Sequence, residues 1–195
     1  LPRSTLNRAR IVVLGVDPGT LVTGFGVIAA GAGRTEVLAC GAIRNGGATP
    51  MALRLKAIYA SLIDVIEEYR PDEFAVETAF YGKNAQSALK LGQARGVAML
   101  AAVNRDLPAS EYSPREVKQA IVGNGNASKE QVQYMVRTLL ALKEPPRPFD
   151  VSDALAVALC HLHRKQAGRP KSVSWKSFVD AHPEAVSSPR RAAAR

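Results

Sequence analysis

Cysteine is nearly absent: Cys40 and Cys160 are the only two in 195 residues. Two distant thiols cannot build a disulfide scaffold, and without a Cys-x-x-Cys pair they give no structural zinc site. A reducing, cytoplasmic setting is the expectation. No apolar run approaches the ~18 residues that a membrane-spanning helix needs. No apolar stretch follows the leading charges to serve as a signal peptide. Acidic residues are the minority, 17 Asp and Glu against 26 Lys and Arg, for a formal charge of +9. What remains is ordinary for a folded domain, with 47% apolar and 22% charged residues. A single domain near this length buries roughly 70% of its unfolded surface, enough for a core without staples.

The positive excess is not spread evenly. Residues 1–10 carry Arg3, Arg8 and Arg10 and no acid. Residues 164–195 carry eight basic residues against Asp180 and Glu184. The stretch between them, 11–163, is neutral, with 15 charges of each sign. Basic ends suit an acidic polymer such as nucleic acid, and they equally suit a solubilising extension. The expected division is a disordered basic leader over 1–10, one domain over 11–166, and a mostly disordered basic tail over 167–195. The tail has Pro170, Pro183 and Pro189 and few large apolar residues beyond Trp175 and Phe178.

The apolar run 11–16 predicts a buried strand ending in the turn Asp17-Pro18-Gly19-Thr20. Strands over 25–30 and 35–43, joined by short glycine-rich links, predict an antiparallel meander. Thr49-Pro50 reads as an N-cap and first helical residue, with apolar spacing that carries a helix to Arg70-Pro71. A short strand over 74–77, a loop over 78–84 and a small-residue helix over 85–103 follow. A fifth strand over 109–112 precedes two capping boxes, Ser113-Pro114-Arg115-Glu116 and Ser128-Lys129-Glu130-Gln131. These open helices to about 122 and 142, and a last apolar helix spans about 150–163. The expected fold is α/β, a sheet with helices on its faces.

Four acids stand out against this frame. Asp17 and Glu77 each end a buried strand, where open α/β sheets place ligand sites. Asp17 also suits a plain turn, and Glu77 a carboxylate facing water. Asp150 and Asp153 share one face of the last helix, where acids also complement the helix dipole. Four carboxylates meeting at one point would need cations. Oxygen-only ligands suit Mg²⁺ or Mn²⁺ rather than zinc. Such a site can hold two ions about 3.5–4 Å apart for phosphodiester chemistry. His161 and His163 read as structural or surface residues.

Further residues complete the pattern. Phe80 and Tyr81 follow Glu77 closely, in a loop with Gly82 and Lys83, where an aromatic can stack on bases. Arg115, Lys118, Lys129 and Arg137 flank the Gly123-Asn124-Gly125-Asn126 turn and suit phosphate contacts, or plain solvation. The small residues of 85–103 allow either a two-fold interface or close packing on the sheet.

Several segments carry a family likeness. They are Leu14-Gly15-Val16-Asp17-Pro18-Gly19-Thr20, Thr23-Gly24-Phe25-Gly26-Val27 and Ala75-Val76-Glu77-Thr78-Ala79-Phe80. Next come Lys83-Asn84-Ala85-Gln86-Ser87-Ala88-Leu89-Lys90-Leu91-Gly92-Gln93-Ala94-Arg95-Gly96 and the run from Val117-Lys118-Gln119 to Gln133-Tyr134-Met135-Val136. Asp150-Val151-Ser152-Asp153-Ala154-Leu155-Ala156 completes the set. In this order, over about 11–163, the chain resembles the RuvC family of crossover junction endodeoxyribonucleases, in the ribonuclease H-like superfamily. The resemblance implies a five-stranded mixed sheet flanked by helices. It implies metal-dependent resolution of four-way (Holliday) DNA junctions by paired symmetric nicks in strands of like polarity. It assigns the metal-holding and catalytic roles to Asp17, Glu77, Asp150 and Asp153, base stacking to Phe80, and active-site lysines to Lys118 and Lys129. It implies Mg²⁺, two per site with Mn²⁺ substituting, a homodimer joined through 85–103, and the RuvA–RuvB branch-migration complex as partner. Two other readings are an actin-like phosphotransferase, from Asp17-Pro18-Gly19-Thr20, and a junction-binding protein without catalysis. The first would need a second phosphate loop and a longer chain.

Overall fold

The run Ile11–Asp17 forms strand β1 at the centre of a sheet, buried on both faces, which is why it reads as continuous rather than alternating. The computed structural model describes residues 10–78 and 85–166. After β1 come β2 (Val22–Gly31), β3 (Arg34–Arg44), α1 (Met51–Tyr69), β4 (Glu73–Glu77) and α2 (Ala85–Val103). Then follow β5 (Ala109–Tyr112), α3 (Pro114–Val122), α4 (Lys129–Leu139) and α5 (Phe149–Gln166). The strand order is β3-β2-β1-β4-β5. The meander β1-β2-β3 is antiparallel, and β4 and β5 run parallel to β1, giving the expected five-stranded mixed sheet.

The pleat divides the core. Val13, Ile28, Ala30 and Ala75 face α3, α4 and α5. Leu14, Val16, Val27, Phe74 and Val76 face α1 and α2. Helix α5 is buried almost all round, from Val151 to Leu162. Each fully buried Leu or Val contributes about 1.5–3 kcal/mol of transfer free energy. The close approach of α5 depends on glycine. A Cβ at Gly15 would stand 2.8 Å from the Ala158 Cβ, and one at Gly26 would stand 2.8 Å from Leu155 Cγ. At Gly24 it would overlap the Asp150 carbonyl and lie 2.9 Å from the Val151 nitrogen.

The ends of the elements follow local chemistry. Ser113 with Glu116, and Ser128 with Gln131, form complete capping boxes, as the spacing predicts. Three boundaries differ from expectation. Thr49 is not the N-cap of α1; Pro50 holds that position with no side-chain cap. The Thr49 amide closes a turn onto Gly46 O at 3.1 Å, while Arg54 Nε bonds Thr49 O at 2.7 Å. Helix α4 stops at Leu139 rather than 142, because Ala141 takes a left-handed φ of 49° and Leu142 N turns back to Arg137 O. Helix α5 runs from Phe149 to Gln166, past the expected end near 163, and Asp150 lies inside its first turn.

Candidate active site

Parallel pairing of β1 with β4, in register at Val16 and Val76, brings Asp17 and Glu77 to the same end of the sheet. Pairing of Asp17 with Gly24 carries Asp17 onto the face that α5 covers. Contact between Gly24 and the first turn of α5 sets Asp150 and Asp153 over that end. Burial is the largest cause that raises Asp17 to about 7, and the charges of Asp153 and Asp150 add to it. Burial likewise leads in raising Glu77 to about 8, with Asp17 and Asp153 adding. The four acids therefore share one electrostatic neighbourhood.

Lys129, the first residue of α4, donates from Nζ to Asp153 Oδ2 at 2.9 Å. Burial works against its charge, but the Asp153 hydrogen bond and the fields of Asp153, Asp17 and Glu77 outweigh it and push its pKa up. The charge of Lys118, on α3, also reaches Glu77 and favours its ionised form. Arg115 lies one turn earlier on α3, its side chain against Gly125 in the turn between α3 and α4. Arg137 instead sits at the far end of α4, with Nε on Leu142 O at 3.4 Å. Phe80, Tyr81 and Lys83 lie outside the described residues. The chain enters that segment from Thr78, whose amide is held by Tyr112 O at 2.8 Å.

Sequence reasoning missed Thr23. It is fully buried, and its hydroxyl donates to Gly19 O at 2.6 Å and accepts from Gly19 N at 3.3 Å. This staple closes the turn that follows Asp17. A threonine four residues after the turn glycine was the available signal. His161 is buried and bonded to protein groups, in keeping with a structural role.

Among the described residues, no three His, Cys, Asp or Glu side chains stand at the separations of a finished ion site. The donor set is nevertheless all oxygen, and two of its members are held well above ordinary carboxylate pKa values. A hard divalent cation favours the ionised form of each, so the residues fit one. Helix α2 presents two faces. Ala94, Ala98, Ala101 and Ala102 pack on the sheet side, while Leu89, Gly92, Gly96 and Leu100 form an exposed stripe.

The chain is similar to known proteins along most of its length. The family model described as crossover junction endodeoxyribonuclease RuvC matches residues 13–161. A protein of that name from Salinibacter ruber is 48% identical over 178 residues, covering 91% of this chain and 99% of the relative. Another from Pelotomaculum thermopropionicum is 52% identical over 153 residues, covering 78% and 93%. The solved structure of Thermus thermophilus RuvC in complex with a Holliday junction substrate superposes with a TM-score of 0.78. It is 39% identical and covers 83% of this chain and 98% of that one.

Proposed function

Since the chain belongs to the RuvC family of crossover junction endodeoxyribonucleases, we propose that it resolves Holliday junctions as a divalent-metal-dependent endonuclease in recombination and repair. The observation that supports this reading is the shared electrostatic neighbourhood of Asp17, Glu77, Asp150 and Asp153. They come from three separately placed elements, in a chain whose residues 13–161 match the family. These four side chains would hold the ions, two Mg²⁺ per site, with Mn²⁺ able to substitute. When bound, the ions lower the pKa of water and stabilise the leaving oxygen of a phosphodiester.

The chain's own groups do the rest. Burial of Asp17 and Glu77 keeps bulk water from solvating their charges, so each binds a cation more strongly than an exposed acid would. Lys118 and Lys129 hold the phosphate backbone, and Arg115 extends that contact along α3. Lys129 exchanges its bond to Asp153 for one to a phosphate oxygen as DNA enters. Phe80 and Tyr81 stack on or wedge between bases beside Glu77, and Lys83 takes a neighbouring phosphate.

The exposed stripe Leu89, Gly92, Gly96 and Leu100 suits a two-fold contact with a second copy. A dimer with two sites matches the two-fold symmetry of a four-way junction and gives paired nicks in strands of like polarity. Branch migration by a RuvA–RuvB complex would supply the junction. A chain whose two cysteines form no disulfide with each other suits the cytoplasm.

The test is cleavage of an end-labelled synthetic four-way junction with Mg²⁺, Mn²⁺ or EDTA. Linear duplex and the Asp153→Asn protein run alongside. Paired, metal-dependent nicks in the junction alone are expected. The substitution should abolish them while leaving junction binding intact. Cleavage by Asp153→Asn at the normal rate would overturn the site assignment, and binding without nicking in any metal would overturn the enzyme.

A further inference from the structure

Strand β4 carries an acid at each end. Glu73, Ala75 and Glu77 alternate onto one face of the strand, the face that α5 covers. Glu77 meets the first turn of α5. Glu73 meets its last turns, where its carboxylate takes His161 Nε2 and Lys165 Nζ. His161 is only 4% exposed, and its Nδ1 lies 2.8 Å from the Tyr112 hydroxyl on β5. An ionised carboxylate only accepts, so Nε2 carries a proton; in the neutral ring Nδ1 then accepts from the Tyr112 O–H. Arg164 adds a further tie. Its guanidinium lies 5.4 Å from the centre of the Tyr112 ring, and its Nη1 lies 2.8 Å from Glu116 on α3. The hydrogen bond from His161 is the leading cause that holds Glu73 below its ordinary pKa.

The rest of the contact between α5 and the sheet is mainly apolar, with further hydrogen bonds joining α5 to α3 and α4, from His163 to Ala120 O and from Lys129 to Asp153. The bearing surface of α5 on β1 and β2 is Gly15, Gly24 and Gly26 against Ala154, Leu155, Ala158 and the helix backbone. Small side chains allow close approach, but apolar contact is non-directional. At the opposite end the acids repel one another, and the Lys129 bond to Asp153 is the tie that α4 supplies. Hydrogen bonds are directional and fix a position to a few tenths of an ångström. One residue along a helix is about 1.5 Å, so even a partial slide would move Asp150 and Asp153 by a chemically important amount.

We propose that Glu73, His161 and Tyr112 form a clasp that sets the position of α5 along the sheet, and so the spacing of Asp150 and Asp153 from Asp17 and Glu77. The three are positioning residues, acting from the far end of the helix. The proposal rests on the four carboxylates being the ion ligands of the nuclease described above.

The test uses the full chain with His161→Leu, His161→Gln and Tyr112→Phe. Circular dichroism and thermal unfolding establish that each folds. Mn²⁺ binding without DNA is read from the loss of the free-ion electron paramagnetic resonance signal. Junction affinity is measured in EDTA, and cleavage in Mg²⁺. Glutamine can donate to Glu73 and accept from Tyr112 as the imidazole does, so His161→Gln should bind Mn²⁺ and cleave nearly as the native protein does. His161→Leu should bind Mn²⁺ about tenfold more weakly and cleave on the order of 100-fold more slowly. Its junction affinity in EDTA should be unchanged. Tyr112→Phe should shift both in the same direction by less.

Unchanged Mn²⁺ affinity in folded His161→Leu would overturn the clasp, as would equal losses in the leucine and glutamine variants. Should His161→Leu fail to fold, unchanged Mn²⁺ affinity in Tyr112→Phe would overturn it instead. A native protein that cuts in no metal would sink the nuclease reading and the clasp with it. Native cleavage beside unaffected variants would sink the clasp alone.

Discussion

Replacing Gly24 by alanine adds one methyl group at the most crowded point beneath the acids. The added carbon would overlap the Asp150 carbonyl and stand 2.9 Å from the Val151 nitrogen. Carbon and carbonyl oxygen ordinarily approach to about 3.3 Å, so relief takes a displacement of ~1 Å or more. Strand β2 is bonded to β1 and β3 on both sides and cannot give way easily. The first turn of α5 must move, and Asp150 and Asp153 move with it. A 1 Å misplacement in a catalytic constellation costs on the order of 100-fold in rate. Overpacking costs about 1–3 kcal/mol of stability, or roughly 2–12 °C in Tm at this size. Junction cleavage in saturating Mg²⁺, well below the variant's Tm, reads the first effect, and binding in EDTA shows that DNA recognition survives. Gly47→Ala is the control, because nothing lies within 4 Å of its added carbon. Native-rate cleavage by Gly24→Ala would refute the claim that this contact sets the position of the acids.

Two further outcomes are expected. Glu77 is raised to about 8 in the folded protein, from an ordinary value of 4.5. Between those values the folded state holds the proton that the unfolded chain releases, so stability falls as pH rises through that window. In EDTA, Glu77→Gln should therefore unfold at a higher temperature than the native protein at about pH 8.5 and at nearly the same temperature at about pH 4, while losing cleavage. No difference between the two pH values would contradict the burial and repulsion assigned to Glu77. Deleting residues 168–195 should flatten the plot of log binding constant against log salt, by about 0.9 for each phosphate that the tail neutralises. An unchanged slope would leave the tail without a role in DNA binding.

Much of this arrangement is legible in the residues themselves. Ile11 to Val16 is apolar without a break because both faces of β1 are covered, and a carboxylate at the end of such a strand stands out. Asp150 and Asp153 are legible as a pair because three residues return a helix to the same face. Lys118 and Lys129 are composed no differently from Arg137, yet they reach the acids and Arg137 does not, since only the packing of α3 and α4 on α5 decides it. Gly24 and Gly26 look like weak points in a strand; their purpose appears only once α5 lies across them. The Glu73–His161–Tyr112 contacts join residues from three elements. No local spacing predicts them. Thr49 has the right chemistry for a cap, but the Gly46 turn and the Arg54 bond claim its backbone first.

The order of elements along the chain also bears on how the protein is made. Synthesis runs from the N-terminus at about 5–20 residues per second, so Asp17 and Glu77 leave the ribosome well before Asp150 and Asp153. Until α5 emerges, one face of the nascent sheet lacks its cover and the ligand set is half complete. With the four proposed ligands, the helix that closes the core would also complete the site. On that ligand set, a newborn chain or one stalled before α5 would have no means to nick the DNA it meets.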